Sequence, residues 1–161
     1  MSPVFSGFRF LRHAGSSLAL VLIASCAAAP TTPPPLAGAT PIPPGNARVW
    51  FYRVFFPDDT GDMPAVYVNG ITIGYAKAGT SFYRDLPAGA YQVTVDSFGK
   101  DQYQSQYVTL APGGQQYLTI QSAPTWIADF SGARRPTHYV AILEPRIATL
   151  QLSQTSFGSG Y

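Results

Sequence analysis

Few side chains in this sequence are suited to covalent or metal chemistry. There is one cysteine, Cys26, and His138 is the only histidine after the first 25 residues. A single cysteine forms no disulfide within the chain, and one cysteine with one histidine is too few for the usual zinc sites. We therefore expect no disulfide, no bound metal and no cofactor.

The acidic residues give only weak indications of a site. Three aspartates lie within 58–62 but lack the spacing of a calcium-binding loop, so we expect a solvated turn there. No Gly-x-Ser-x-Gly motif presents a nucleophilic serine. We predict no catalytic residue; the alternative is an envelope hydrolase that uses Asp85, Asp96 or His138.

A secretory signal precedes Cys26. Arg9 and Arg12 come before a mainly apolar run over 14–24, which is the order of charged and apolar regions in secretory signal peptides. The run is shorter than the ~20 apolar residues that span a bilayer. We expect export and cleavage; the alternative is an inner-membrane protein that keeps residues 14–25 as a helix.

The apolar run ends in a four-residue motif, Ile23, Ala24, Ser25 and Cys26. This motif resembles the lipobox of bacterial lipoproteins, in which small side chains fit the peptidase cleft and the thiol takes a diacylglycerol as a thioether. The resemblance implies that residues 1–25 are removed and that Cys26 carries lipid. The alternative is an ordinary signal peptide that is cleaved at the alanines of 27–29.

The residues after Cys26 indicate a location and a tether. Ala27, rather than an aspartate, follows the cysteine, which in such lipoproteins implies the outer membrane of a Gram-negative cell, with the domain facing the periplasm. Residues 26–46 are rich in proline, alanine and threonine and predict an extended tether. At ~3.1 Å per residue, the 19 residues of 27–45 reach up to about 60 Å from the lipid.

The charge of the remaining chain argues against a nucleic-acid partner. Without Arg9 and Arg12, eight basic residues balance eight acidic ones, and the basic residues are scattered. Binding nucleic acid requires several basic side chains on one face. The partners we expect are the membrane, through the lipid, and an envelope protein or a cell-wall glycan.

Residues 47–152 predict a small all-β sandwich of about seven mainly antiparallel strands. The 15 glycines, 15 prolines and 11% charged residues favour strands and turns over long helices. The first predicted strand, 48–56, is apolar nearly throughout and is expected near the centre of a sheet. Residues 146–152 fit either a helical turn or an edge strand, and residues 153–161 are expected to form a flexible tail.

Six turn residues separate the predicted strands: Asn69, Gly70, Pro87, Gly89, Pro112 and Gly113. The first two predict a type I′ hairpin that pairs Val68 with Ile71 and Val66 with Ile73 on one apolar face. A second hairpin is expected over 108–120, with its turn at Pro112 and Gly113.

The order of the turn motifs carries a resemblance. The motifs are Val66-Tyr67-Val68-Asn69-Gly70, Leu86-Pro87-Ala88-Gly89-Ala90-Tyr91 and Leu110-x-Pro112-Gly113. They resemble a family of small bacterial lipoproteins with a β-rich domain of unknown function, and the middle part resembles a PEGA-type β-module. The resemblance covers 47–120 and implies the fold and the lipid, but no catalytic residue.

Aromatic residues are numerous: ten tyrosines, ten phenylalanines and two tryptophans. Exposed aromatics beside Gln and Arg are typical of protein or glycan recognition. The candidates for such a surface are Tyr103, Tyr107, Trp126, Arg134 and Arg135. The alternative is that the aromatics fill the sandwich. We therefore expect a lipid-anchored module that binds or scaffolds without catalysis.

Replacing Cys26 tests the anchor. Cys26→Ala is expected to abolish incorporation of radiolabelled palmitate and to release the chain from the membrane fraction, because no other thiol can form the thioether. Ser25→Ala keeps a small residue in the motif and is expected to retain the label. Label that persists in Cys26→Ala would contradict lipidation at this residue, and the size of the mature chain on a gel distinguishes the uncleaved alternative.

Overall fold

Two β-sheets face each other across an apolar core. The computed structural model describes residues 39–57, 59, 61–96, 104–123 and 137–161. The strands in these ranges are β1 (Asn46–Arg53), β2 (Ala65–Val68), β3 (Ile71–Tyr75), β4 (Thr80–Pro87), β5 (Gly89–Val95), β6 (Ser105–Leu110), β7 (Gln115–Ala123), β8 (Thr137–Ile142) and β9 (Ser156–Phe157). A helix, α1 (Pro145–Leu152), lies between β8 and β9.

The strands form a five-stranded sheet in the order β8-β7-β1-β4-β9 and a four-stranded sheet in the order β3-β2-β5-β6. Pairing is antiparallel except for β1 with β7 and β4 with β9. The prediction of a small, mainly antiparallel all-β sandwich is confirmed.

Strand β1 lies at the centre of the five-stranded sheet, as its sequence predicts, and is buried from 47 to 53. Because side chains alternate across a strand, Val49 and Phe51 point into the core between the sheets. Trp50 and Tyr52 point to the other face, where they form a second buried cluster. Apolar residues on both faces thus require a cover on both sides.

Helix α1 supplies part of the cover over the second cluster. Pro145 is suited to the first turn because its missing N–H has no partner to lose there. Ala148 and Leu152 are four residues apart, so both face the sheet and pack with Trp50 and Tyr52. Of the two alternatives for 146–152, a helical turn or an edge strand, the structure shows the helix. None of the described helices is long and apolar enough to span a membrane.

The first hairpin is confirmed at its turn and wrong in part of its register. Asn69 and Gly70 have φ of 49° and 79°, as a type I′ turn requires, and Val68 pairs with Ile71. Val66, however, pairs with Gly74, because β3 contains a bulge. The expected common apolar face also fails at Ile71, which is 70% exposed.

The prediction of a second hairpin is wrong. Strand β6 pairs with β5, whereas β7 pairs in parallel with β1 in the other sheet. The turn between them changes sheets because its backbone bonds to β1: Gly113 N–H donates to Asn46 O at 2.8 Å, and Arg48 N–H donates to Gly114 O at 2.9 Å. The turn at Pro87 and Gly89 is likewise a corner, since β4 and β5 belong to different sheets.

The last residues also differ from the expected flexible tail. Residues 153–155 leave α1 in a hydrogen-bonded turn, and β9 then adds to the edge of β4. Apolar contact supports the pairing, since the Phe157 ring lies 5.5 Å from the ring of Tyr83.

Truncating the core side of β1 tests the packing. Phe51 is fully buried and stacks on Phe82, with ring centroids 5.2 Å apart. Phe51→Ala is expected to lower the free energy of unfolding by about 3–5 kcal/mol, measured by urea denaturation. Phe55→Ala, at a position 61% exposed just after the strand, is the control and should cost less than about 1 kcal/mol. Equal costs would contradict this core.

Candidate functional site

A charged cluster is buried where β1 ends. Arg53 is 1% exposed and points into the space between the sheets. Its Nη2 donates to Asp59 Oδ1 at 2.6 Å and to Ser122 Oγ at 2.7 Å, while Nη1 donates to Asp62 O at 2.8 Å. Arg53 therefore joins the loop after β1 to strand β7.

Asp59 is held as a carboxylate in this cluster. Its Oδ2 accepts from Phe56 N–H at 3.0 Å, and its Oδ1 accepts from Ser122 Oγ at 3.1 Å. Burial alone would raise the pKa of Asp59, but the hydrogen bonds from Arg53, Phe56 and Ser122 and the charge of Arg53 outweigh it and lower the pKa. The expectation of a solvated turn is wrong at Asp59, because its side chain is 4% exposed and paired.

His138 borders the same cluster. It lies on the edge strand β8, opposite Ser122 on β7, and its side chain is buried. Burial, together with the nearby charge of Arg53, lowers the pKa of His138 below its ordinary value. The imidazole is therefore neutral at neutral pH.

The cluster has the residue types of a catalytic triad but another arrangement. Ser122 gives its hydroxyl proton to Asp59 and accepts from Arg53, so its oxygen is engaged with the ion pair. A nucleophilic serine instead gives its proton to a histidine. The geometry thus supports a structural role, in which the cluster holds the loop after β1 against strand β7. No three His, Cys, Asp or Glu residues in the described ranges are placed to hold a metal.

Asp85 and His138 of the hydrolase alternative lie on opposite faces of the five-stranded sheet, whereas the His138 side chain bonds to the backbone of Asp96. Asp85 accepts from Arg48 through both oxygens at 2.7 Å, on the outer face of the five-stranded sheet. His138 belongs to the inner face of that sheet, and Asp96 is exposed beyond the end of β5. Asp85 and His138 therefore do not form a catalytic pair.

Arg48 fixes the point at which the chain enters the sandwich. Its guanidinium lies 3.8 Å from the centre of the Tyr83 ring and donates to Thr40 O at 2.6 Å. The hydrogen bond and charge of Asp85 raise the pKa of Arg48 despite its burial. Thr40 also contacts the Tyr83 hydroxyl at 3.1 Å, and Ala39 packs beside it on the second cluster. The chain thus approaches over the outer face of the five-stranded sheet.

The other outer face, that of the four-stranded sheet, has a different character. We call it the open face; it includes the side chains of Tyr67, Thr72, Ala90, Gln92, Thr94, Ser105, Tyr107 and Thr109. None of them is charged. Tyr107 is 75% exposed and Tyr67 is half-buried. From the pairing register and standard strand spacings, their Cα atoms lie about 12 Å apart.

The structure describes only some of the site residues that the sequence predicts. Tyr107 of the predicted binding surface is exposed, and its role in binding stays a prediction. The rest of that candidate surface lies outside the described residues: Tyr103, Trp126, Arg134 and Arg135. So do the residues of the lipid motif: Ile23, Ala24, Ser25 and Cys26. Lipidation and location remain predictions.

Comparison with models of protein families gives no match for this chain, and comparison with curated proteins gives none either. The function of the chain is therefore inferred from its own residues and their geometry.

The buried ion pair gives a pH-dependent prediction. Asp59→Asn is expected to lower the free energy of unfolding by about 3 kcal/mol at neutral pH, because it leaves Arg53 buried without its counter-charge. The folded-state pKa of Asp59 is lowered, so the contribution is complete above the ordinary value of 3.8 and is lost as the pH falls through the folded-state pKa. Wild type and variant should therefore converge in acid.

Urea denaturation across this pH range measures the effect. Asp96→Asn changes an exposed aspartate and is the control, with a cost expected below about 0.5 kcal/mol at each pH. A constant difference between wild type and Asp59→Asn from neutral to acid pH would show that the charge of Asp59 is not what stabilises the loop.

Proposed function

We propose that this chain is a lipid-anchored, non-catalytic binding module of the bacterial cell envelope, and that its partner contacts the open face. The observation that carries the proposal is the exposure of an uncharged sheet face with two tyrosines, on a sandwich whose other outer face is covered. The anchor is the lipid predicted on Cys26.

The entry point of the chain supports this orientation. Residues 39–45 reach the sandwich over the outer face of the five-stranded sheet, through the contacts of Thr40 with Arg48 and Tyr83. The open face is on the opposite side of the sandwich. A tether attached in this way leaves the open face accessible.

The side chains of the open face suit a neutral polymer with many hydroxyl groups. Threonine, serine and glutamine side chains both donate and accept hydrogen bonds. Tyrosine offers a flat apolar ring for the C–H face of a sugar and a hydroxyl at its rim. An uncharged face also gives no electrostatic attraction to a strongly charged partner. A cell-wall glycan is therefore the partner class that we propose.

Binding to purified, insoluble cell wall tests the proposal. The full chain in detergent is expected to sediment with the polymer, and Tyr67→Ala or Tyr107→Ala should each reduce the affinity about tenfold, the usual effect of losing a contact worth ~1.4 kcal/mol. Leu150→Ala changes an exposed apolar residue on α1 and is the control, with binding unchanged.

Two outcomes would contradict the proposal. Equal binding by wild type and both tyrosine variants would place the contact elsewhere. A wild-type chain that stays in solution would exclude the cell-wall polymer, and capture of an envelope protein that depends on Tyr107 would then identify the open face as a protein-binding surface.

A further inference from the structure

Residues 156–161, called here the end segment, run along the edge of β4 in the five-stranded sheet and reach β3 of the other sheet. Ser156 N–H donates to Gly79 O at 2.9 Å and Gly158 N–H donates to Ser81 O at 2.8 Å, which pairs the segment with β4. Gly160 O accepts from Tyr75 N–H of β3 at 2.7 Å. The end segment therefore bonds through its backbone to both sheets.

The site that receives the segment is called here the slot. It is formed by Tyr75, Gly79, Ser81, Phe82, Tyr83 and Arg84, and it also contacts side chains of the segment. Phe157 stacks on Tyr83, with ring centroids 5.5 Å apart. The Tyr161 ring lies 6.3 Å from the Tyr75 ring and 5.2 Å from the Arg84 guanidinium. Two aromatic residues of the segment, Phe157 and Tyr161, thus contact aromatic side chains of the slot.

Between these aromatics, the slot accepts glycine alone at one position, that of Gly160. Gly160 has φ of +81°, and a Cβ built on it would lie 2.8 Å from Phe82 Cγ, which is closer than real contacts allow. Gly158 differs, since a Cβ there would meet nothing within 4 Å. The buried Phe82 ring therefore selects against any side chain at one position of the segment and not at the other.

The segment is held by contacts that a separate peptide can also make. The ladder with β4 has two residue pairs, Phe157 is half-exposed and Tyr161 is exposed. Without the segment, the Gly79 and Ser81 carbonyls and the Tyr75 N–H would lie unpaired along two strand edges, and such edges bind extended chains.

We propose that the slot is a peptide-binding site whose ligand is an extended segment with aromatic residues at the positions of Phe157 and Tyr161 and glycine at the position of Gly160. The end segment occupies the slot in this structure, and a partner segment of the same chemistry displaces it. This inference goes beyond the proposed function and does not depend on it, because it uses neither the lipid nor the open face.

A labelled peptide of residues 153–161 tests the proposal by fluorescence anisotropy. The wild-type full chain is expected to bind it weakly, since its own segment competes at an effective concentration in the millimolar range. Gly160→Val in the full chain removes that competitor while leaving the slot residues unchanged, so the peptide should bind at least tenfold more tightly. A peptide with Gly158→Ala should bind like the unmodified peptide, and one with Gly160→Val should not bind.

Three outcomes would overturn the proposal. The first is a folded Gly160→Val chain, checked by circular dichroism, that binds the peptide no more tightly than wild type does. The second is equal binding of the peptides with and without Gly160→Val, since the slot would then not distinguish glycine from valine at this position. The third is a Gly160→Val chain that cannot fold, because the slot could not then be vacated for a partner.

Discussion

A strand that is apolar on both faces must be covered on both faces, and β1 imposes this requirement on the rest of the chain. The four-stranded sheet covers its inner side, where Val49 and Phe51 lie. Helix α1 and the chain around Ala39 cover its outer side, over Trp50 and Tyr52. Burying large aromatic side chains on both sides contributes about 1.5–3 kcal/mol for each one, so the covering segments are held by the hydrophobic effect.

The two arginines of β1 stabilise the same arrangement at its ends. Arg48 pairs with Asp85 beneath the entering chain, and Arg53 pairs with Asp59 beneath the loop that leaves the strand. Each guanidinium also donates to a backbone carbonyl, Thr40 O or Asp62 O, so each ion pair fixes a segment without regular structure. Buried charges of this kind are costly unless a counter-charge and hydrogen bonds compensate them, and these contacts explain why both segments lie close to the sheet. Arg53 is compensated through Nη1 and Nη2, while its Nε has no hydrogen-bond partner among the described residues.

Among the described residues, the segments that cover an outer face, α1 and the chain around Ala39, lie on the five-stranded sheet, and Tyr107 on the outer face of the other sheet is exposed. That asymmetry links the fold to the function that we propose: the chain enters on the covered side, and the uncharged open face is free for a partner. The buried Arg53 cluster has a structural role, because Ser122, Asp59 and Arg53 engage one another.

Local sequence signals predicted much of this fold. The apolar run of β1 and the Asn69-Gly70 turn act through residues adjacent in the chain, so their patterns are visible in the sequence. Long-range contacts decided the rest. The parallel pairing of β1 with β7 turns an expected hairpin into a sheet crossing, and the bulge opposite Val66 places Gly74 against Phe82. The burial of Asp59 has one sequence signal, an arginine at the end of an apolar strand with aspartates close behind it.

Because β1 is covered on both faces, we expect it to be the most stable part of the molecule, and site-resolved amide hydrogen exchange tests this most directly. We expect the amides of Trp50 and Tyr52 to exchange only through global unfolding, and the amides of edge strand β3 to exchange through smaller openings. Exchange of the β1 amides at the rate of those in β3 would contradict the claim.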